Sequence, residues 1–266
     1  MSRIINVYNK YHLGDNIFNI IFFNKISKYL ENNNIVINYY LLPCYKYQVS
    51  EFINSKNIVL FDYSELDSTM NMFMHLWIDD ERFQLRCCKS IKKIPYNMFL
   101  AAFFNQILRI WNLPISIKNI IYDDTNLLDR YNNLDNKYQN IDILFINSLA
   151  LSGQFDNNEN EWYNFIQNFT NYKIVTTKKI EGINCTLDDD LTIKDIASLS
   201  TNCKVIVFVN TGVAPGLFNE YTMQNVKKFY CLDNRCYYNF PLYPKFQNFK
   251  CLKDICINDI ITDLTP

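Results

Sequence analysis

Two stretches of this chain repeat one alternation of short apolar strands and amphipathic helices, and that repeat constrains the fold more than any other feature. The first stretch predicts strands over 4–7, 35–42 and 57–61, with helices over 16–30 and 47–54 between them. The strand at 35–42 is predicted to be buried, and a further apolar strand is predicted over 72–78. The second stretch predicts strands over 142–148, 173–177, 204–209 and 226–232, with helices over 159–170 and 192–200. The apolar run at 204–209 is typical of a central parallel strand, and Thr192 can N-cap the helix at 192–200. A strand–helix alternation of this kind predicts parallel sheets joined by helical crossovers.

The repeat predicts an α/β fold class with two Rossmann-like domains whose parallel sheets face each other across a cleft. A polar stretch over 122–140, rich in Asn and Asp, separates the two alternations. We therefore place an N-terminal domain at 1–138 and a C-terminal domain at 139–266. The last thirty residues predict a loop and a closing helix that crosses back over the first half.

Charge and cysteine usage exclude several classes of protein. The chain has 26 Lys and Arg against 27 Asp and Glu, a formal net charge of -1, so no basic footprint indicates nucleic acid as a partner. The longest apolar stretch, 98–113, contains Asn105, Gln106 and Arg109 and is too short to span a bilayer. The nine Cys form no CxxC pair, which favours buried thiols in a reducing compartment and no metal site. With no secretory signal in the sequence, we expect a cytoplasmic protein.

The loop after the first predicted strand is the first place where chemistry can occur. It reads His12, Leu13, Gly14, Asp15, Asn16 and leads into a helix. Ligands of open parallel sheets bind beyond the carboxyl ends of strands, where Gly14 permits close backbone approach. A carboxylate at Asp15 can take a proton from an acceptor hydroxyl, with His12 and Asn16 binding the substrate. The alternative is that Asp15 or Asn16 only caps the helix.

The loop after the strand at 204–209 is the second such place. It runs Asn210, Thr211, Gly212, Val213 and then into a helix expected from Gly216. Small residues before a helix N-terminus leave amides and a positive dipole end free to bind phosphate without basic side chains. The spacing matches neither GxGxxG nor the GxxxxGK[ST] loop, and a simple tight turn remains the alternative.

Several motifs resemble those of the lipopolysaccharide heptosyltransferase family. The segment LTIKDIASL, followed by CKVIVFVNTGVAPGLFN, is similar to its donor-domain signature, where a short helix and a strand precede a D-[ST]-G-x-x-H loop. The GDN-I sequence after strand one resembles the family's N-terminal GD-x-[IV] motif, whose Asp is the proposed base. The strand near 143–147, the gap to Gly153 and the helix around Trp162 resemble its strand, loop and K-x-W-P helix.

This resemblance implies a two-domain GT-B fold and a metal-independent, inverting glycosyltransferase with no cofactor. A nucleotide-sugar would be the donor, and a glycan or lipid-linked hydroxyl the acceptor, with Asp15 as the catalytic base. The donor-binding residues it implies lie at or after the ends of three predicted strands of the second half. They are Ser148, Ser152, Gly153, Gln154, Thr177, Lys178, Asn210, Thr211, Gly212 and Val213.

The chain departs from the family pattern at three positions. Asn210 stands where the family has Asp, and Pro215 stands where it has His. No Lys matches the donor-phosphate Lys beside Gly153, for which Lys178 is a substitute. These departures leave the donor open.

Two further hypotheses compete with this one. The run Asp188, Asp189, Asp190 contains a DxD spacing that a metal-dependent transferase uses, although a solvated cap before a short helix explains it too. The missing family residues at Asn210 and Pro215 would instead suit a non-catalytic module that binds a glycan, a nucleotide or a protein partner. An epimerase of the same architecture is also compatible with the sequence.

Overall fold

A computed structural model describes residues 2–66, 74–76, 96–148, 155, 158–233, 245–247 and 250–265 of the chain. The chain divides into two compact units, Met1–Ile121 and Tyr122–Pro266. Each unit contains an open sheet in which every described strand pairing is parallel. The predicted α/β class with two Rossmann-like sheets is confirmed.

The first unit is a four-stranded sheet with helices. Its elements are β1 (Arg3–Asn9), α1 (Leu13–Asn32), β2 (Ile35–Leu41), α2 (Pro43–Ser50), β3 (Ile58–Asp62), β4 (Met74–His75) and α3 (Tyr96–Ile110). The strand order is β3-β2-β1-β4, so the chain leaves β1 on one side and returns on the other with β4. The predicted strand around 72–78 is described only at 74–76.

Two helix starts differ from the prediction. Helix α1 begins at Leu13 rather than at 16, because His12 is extended and serves as the N-cap. Helix α2 begins at Pro43 rather than at 47, because proline lacks an amide hydrogen and fits the first helical turn. In β2 the side chains alternate between buried and half-exposed, so the prediction of a continuously buried strand is wrong there.

Aromatic side chains form much of the first unit's core. Phe22 of α1 stacks on Phe104 of α3 with ring centroids 4.3 Å apart, and it also lies against Trp111. On the side that faces the sheet, the rings of Phe23 and Tyr39 of β2 meet edge to face, with their centroids 5.3 Å apart. Helix α1 therefore packs its two faces on α3 and on the sheet, which explains why nearly all of its first half is buried.

The second unit is a six-stranded sheet in the order β10-β9-β8-β5-β6-β7. Its elements are α4 (Leu127–Asn132), β5 (Ile143–Ile146), α5 (Glu159–Ile166), β6 (Ile174–Thr176), β7 (Asn184–Cys185), α6 (Ile193–Ser200), β8 (Val205–Val209), α7 (Ala214–Leu217), α8 (Glu220–Asn225), β9 (Lys228–Leu232), β10 (Phe246–Gln247) and α9 (Ile257–Leu264). Every residue of β5 and β8 is buried, as predicted for central parallel strands with both faces covered. The predicted N-cap at Thr192 is confirmed, since its side chain and Asp195 form a capping box.

The boundary between the units lies between Ile121 and Tyr122 rather than at 138/139. The polar stretch that suggested a linker contains helix α4, whose Leu127 carbonyl accepts a hydrogen bond from Ser198 of α6 at 3.0 Å. Tyr122 is also held by the second unit, because its amide donates to the Phe218 carbonyl at 2.7 Å. The polar composition of this stretch reflects an amphipathic surface segment of the second unit, and not the domain boundary that we predicted from it.

The closing helix α9 also differs from the prediction. Its buried residues Ile260 and Leu264 belong to the same hydrophobic cluster as Val205 and Val207 of β8. The prediction that it crosses back over the first half is therefore corrected: its apolar face completes the core of the second unit. Among the described helices, none is both long enough and apolar enough to cross a membrane.

Candidate functional site

Strand order places three of the predicted loops at topological switch points. In the first unit the order reverses between β1 and β4, and in the second unit between β5 and β8. Ligands of open α/β sheets bind outside the carboxyl ends of strands at such points. The loop at 10–12 leaves β1, Ser148 follows β5, and Asn210 follows β8. The register pairs Ile146 with Phe208, so Ser148 and Asn210 each lie two residues beyond a paired position.

Asp15 lies in the first turn of α1, and neither it nor Asn16 is the helix cap. The N-cap is His12, which makes no side-chain hydrogen bond to the helix amides. The Asp15 carboxylate is 3.6 Å from His12 Nδ1, with 27% of the Asp15 side chain and 57% of the His12 side chain exposed. A partly exposed carboxylate beside an imidazole at the end of β1 can accept a proton from a bound hydroxyl. Gly14, between them, is partly exposed as well.

Asn16 points into the core instead of toward solvent. It is fully buried, its amide group donates to the His12 carbonyl at 2.9 Å, and its Oδ1 accepts from the Tyr39 hydroxyl at 2.6 Å. The sequence prediction made Asn16 a substrate-binding residue. The structure instead gives it two intramolecular partners, one of them the carbonyl of the helix cap.

In the second unit, Asn147 holds the ends of β5 and β6 together. Its Oδ1 accepts from the amides of Thr177 and Lys178 at 3.0 and 2.8 Å, and its Nδ2 donates to the Lys178 carbonyl at 3.1 Å. The hydroxyls of Ser148 and Thr177 are 3.1 Å apart. Three predicted donor-binding residues therefore meet around Asn147, which sequence reasoning overlooked. Its signal was a polar residue directly after a fully apolar strand.

Lys178 is the predicted substitute for the family's phosphate-binding Lys. Its ammonium pairs with the carboxylate of Glu159, the first residue of α5, and the Lys178 side chain is one-third exposed. This contact lowers the pKa of Glu159 through the hydrogen bond from Lys178. Because Glu159 itself is largely exposed, the pair can open to another anion at small cost.

The turn after β8 offers hydrogen-bond donors that the described part of its unit does not use. Among the described residues, the amides of Thr211, Gly212 and Val213 have no backbone acceptor. The Thr211 hydroxyl oxygen is buried and also lacks a partner within the described part of the chain. Neighbouring amides of this kind form a concave anion site without any basic side chain.

The helix after this turn is short. It spans only Ala214–Leu217, and α8 starts separately at Glu220 after a break at Phe218. The helix also begins before Gly216, with Pro215 in its first turn. A single turn carries little of the dipole that a long helix has, so the expected dipole contribution is reduced to that of the amides themselves.

Asn210 is engaged with an acidic residue from the next strand. Its Nδ2 donates to Asp233 Oδ2 at 3.0 Å, and Asp233 follows β9 and is buried. A carboxylate is thus present beside this turn although position 210 itself is an amide. Asp233 could have been recognised as an acidic residue directly after an apolar strand.

Three predicted donor-binding residues lie outside the described residues: Ser152, Gly153 and Gln154. They fall between Ser148 and Phe155, the described residues on either side of them in the chain. His75 is described only as a backbone position in β4, paired in register with Tyr8.

A buried charged cluster joins the α4 region to α6 and was not predicted. Lys194 Nζ lies 2.9 Å from Asp124 Oδ2, with 12% and 2% of their side chains exposed. Arg130 Nε donates to Asp195 Oδ1 at 2.5 Å. Burial alone would raise the pKa of each carboxyl, but hydrogen bonds from Tyr122 and Lys194 lower that of Asp124, and those from Arg130 and Thr192 lower that of Asp195.

Two carboxylates of the acidic run that contains the DxD spacing pair with lysines. Asp188 pairs with Lys179 at 3.2 Å, and Asp189 pairs with Lys137 and accepts a hydrogen bond from Tyr138. Asp190 takes a left-handed conformation, with φ 52°, at the end of this short 3-10 segment. Within the described ranges, no three His, Cys, Asp or Glu side chains are grouped to hold a metal ion.

Comparison with known proteins gives a fold relationship. No family model matches the sequence. No curated protein matches it either. Solved structures do match over nearly the whole chain.

The glycosyl transferase family 9 protein from Veillonella parvula DSM 2008 has a TM-score of 0.54 at 14% identity, covering 99% of this chain and 98% of that one. The E. coli heptosyltransferase WaaC with ADP has a TM-score of 0.52 at 8% identity, covering 98% and 100%. The iron-containing dodecameric glycosyltransferase TibC from enterotoxigenic E. coli H10407 has a TM-score of 0.52 at 7% identity, covering 94% of this chain and 64% of that one.

These matches define the class of fold as the GT-B type, built from two Rossmann-like domains. The chain shares this fold with the heptosyltransferase-like glycosyltransferases, so the resemblance inferred from its motifs is confirmed at the level of the fold. At sequence identities of 7–14%, the feature shared with these proteins is the fold.

Proposed function

We propose that this protein is a metal-independent, inverting glycosyltransferase that moves a sugar from a nucleoside-diphosphate donor to a hydroxyl of a glycan or lipid-linked acceptor. The observation that carries this proposal is the turn after β8. There, three amides and one buried hydroxyl have no acceptor among the described residues, and the turn lies at the switch point of a sheet.

Donor binding is assigned to the carboxyl ends of the second unit's strands. The amides of Thr211, Gly212 and Val213 would bind the diphosphate, since unpaired amides in a turn stabilise negative charge. Lys178 would add a positive charge by exchanging its contact with Glu159 for one with phosphate. The hydroxyls of Ser148 and Thr177 would contribute by exchanging their internal hydrogen bonds for bonds to phosphate.

Sugar transfer is assigned to Asp15 as the general base. The Asp15 carboxylate takes the proton of the acceptor hydroxyl while that oxygen forms a bond to the anomeric carbon. The bond from the anomeric carbon to the phosphate oxygen breaks, and its electron pair leaves with the nucleoside diphosphate. One displacement on the face opposite the leaving group inverts the configuration.

The amides after β8 replace the metal ion that other transferases place on the leaving group. This choice is supported by the pairing of Asp188, the first Asp of the DxD spacing, with Lys179. Asn210 keeps a carboxylate near the turn by donating to Asp233.

The nucleotide is proposed from the structural neighbours. The WaaC structures contain ADP and ADP-2-deoxy-2-fluoro heptose, and one TibC structure is a complex with ADP-D-beta-D-heptose. We propose an ADP-linked or chemically related diphosphosugar as the donor to test first.

Calorimetric titration with ADP, UDP and GDP, followed by a transfer assay with the matching diphosphosugars, tests the proposal. Asp15→Asn should lower turnover at least about a hundredfold, because it removes the proton acceptor, while nucleotide affinity is retained. Asp129→Asn is the matched control, since Asp129 is an exposed carboxylate in the first turn of α4.

Two outcomes would contradict parts of this proposal. Wild-type turnover in Asp15→Asn removes Asp15 from the mechanism. Nucleotide binding without transfer or hydrolysis in the wild-type protein identifies a non-catalytic binding module, the function that the departures at Asn210 and Pro215 would suit. Activity lost with a chelator and restored by manganese would favour the metal-dependent mechanism.

A further inference from the structure

We infer that Tyr39, acting through Asn16, is a positioning residue that fixes the helix turn carrying Asp15. This inference rests on the proposed function only in giving Asp15 a catalytic role. The structural evidence for it is a network of hydrogen-bonded polar side chains beneath the loop after β1.

The network is buried in an otherwise apolar part of the first unit. Tyr39 of β2 is fully buried, and its hydroxyl donates to Asn16 Oδ1 at 2.6 Å while accepting from Asn19 Nδ2 at 2.8 Å. Asn19 Nδ2 also donates to the Leu76 carbonyl after β4 at 3.1 Å. Asn9, at the end of β1, donates to the same carbonyl at 2.7 Å.

Both ends of the loop are connected to this network. Asn9 Oδ1 accepts from the amide of Tyr11 at 2.8 Å, which fixes the start of the loop. Asn16 Nδ2 donates to the carbonyl of His12 at 2.9 Å, which fixes its end at the helix N-cap. The imidazole of His12 in turn lies 3.6 Å from the Asp15 carboxylate. The hydrogen bonds therefore connect Tyr39 to Asn16, the residue after Asp15, and through Asn16 to His12.

The direction of the hydrogen bonds makes Tyr39 the centre of this arrangement. Asn19 offers its amide hydrogen to the phenol oxygen, so the phenol hydrogen is left for Asn16. Asn16 Oδ1 then faces Tyr39, which turns its Nδ2 toward the His12 carbonyl. Burial raises the pKa of Tyr39, so the hydroxyl remains a donor throughout the physiological range.

The distribution of buried polar residues along α1 supports a role for them in fixing the loop after β1. Asn16 and Asn19 are buried in its first two turns, whereas Phe22, Ile26 and Leu30 continue the buried side toward its end. Leucine at positions 16 and 19 would give the same burial without the cost of desolvating amides. Buried polar groups that satisfy one another fix a single geometry, and along α1 they occur only beside the loop that precedes Asp15.

Tyr39→Phe tests the inference because it removes one hydroxyl and keeps the aromatic packing on Phe23. The matched control is Tyr230→Phe, which deletes a buried hydroxyl in the second unit, bonded to Asp263 Oδ2 at 2.6 Å. We expect Tyr39→Phe to lower kcat about tenfold, as one buried hydrogen bond permits. The KM of Tyr39→Phe for the donor should stay within about twofold of the wild-type value. The kcat and KM of Tyr230→Phe should both stay within about twofold of wild type.

A double-mutant comparison separates positioning from a general structural role. If Tyr39 acts through Asp15, Tyr39→Phe should not lower the residual rate of Asp15→Asn any further. Wild-type kcat in Tyr39→Phe, or the same fractional loss in the Asp15→Asn background, overturns the inference.

Hydrogen exchange makes the outcome independent of the proposed function. If the wild-type protein shows no transfer with any donor, the proposed function fails, and exchange at residues 10–16 decides the inference by itself. Faster exchange there in Tyr39→Phe but not in Tyr230→Phe supports it, and unchanged exchange overturns it. If Tyr39→Phe does not fold, Asn16→Leu, which keeps the buried volume and removes the amide, is measured with the same outcomes.

Discussion

The network beneath the loop after β1 and the turn after β8 differ in whether their buried hydroxyls have hydrogen-bond partners. In the first unit the Tyr39 hydroxyl is buried and has a partner on each side, Asn16 and Asn19. In the second unit the Thr211 hydroxyl is buried and has no partner among the described residues. A satisfied hydroxyl stabilises a fold, whereas an unsatisfied one costs free energy unless a ligand supplies the acceptor. The contrast indicates that the first unit holds its loop in place and that the second leaves donors available.

The units also differ in charge. The buried network of the first unit is neutral, while the second buries Asp124 with Lys194 and places Asp195 against Arg130. Paired charges in the interior are costly to separate and sensitive to pH, which neutral amides are not. Three measurements test this difference between the two units.

Loss of the buried carboxylate should give the largest effect. Asp124→Ala removes the partner of Lys194 and the acceptor for Tyr122, so we expect a loss of about 3–5 kcal/mol in unfolding free energy. Urea unfolding followed by circular dichroism measures it. Asp188→Asn, which alters the exposed pair with Lys179, should leave the unfolding midpoint unchanged. Equal losses in the two variants would show that burial of the pair is not what matters.

Acidification should remove part of that stability from the second unit alone. The folded-state pKa values of Asp124 and Asp195 lie below those of an unfolded Asp. Their contribution is therefore complete above the unfolded value, about 4, and is lost as the pH falls through the folded values. Hydrogen exchange corrected for intrinsic rates should show β8 losing protection between about pH 7 and pH 3 more than β2 does. Parallel losses in both strands would contradict the assignment.

The two buried hydroxyls should give the smallest and most selective effects. Tyr39→Phe should cost about 1–2 kcal/mol of stability because it leaves Asn16 without its donor. Thr211→Val deletes an unpartnered hydroxyl and keeps the side-chain shape, so stability should be unchanged or slightly higher. Thermal unfolding compares the two variants, and calorimetry then measures nucleotide binding by Thr211→Val. A loss of stability in Thr211→Val would show that its hydroxyl has a structural partner.

Much of the fold could be predicted from local pattern. The apolar run at 204–209 gave β8 and its central position, and Thr192 gave the start of α6. Edge strands β7 and β10 were missed because two paired residues carry no periodic signal. Helix α4 was taken for a linker because its exposed face is polar, and α9 was assigned to the wrong unit because its apolar stripe does not say what it packs on.

The sequence predicted where the candidate site residues lie along the chain, but not their hydrogen-bond partners. Sequence alone placed Asp15 and the turn at 210–213 beyond strand ends, and it placed Ser148 and Thr177 at the last positions of predicted strands. It could not show that Asn16 is buried, nor that Asn147 joins two of the strand ends, because each depends on hydrogen bonds between residues more than twenty positions apart.

Periodicity and turn residues within a few positions are enough to predict the parallel α/β class, the order of strands and helices, and which loops follow strands. Which polar groups form internal hydrogen bonds and which remain available depends on how these elements pack. Hydrogen bonding in the core is settled by pairs such as Tyr39 with Asn16 and Asp124 with Lys194, which the chain brings together only when the sheets and helices pack.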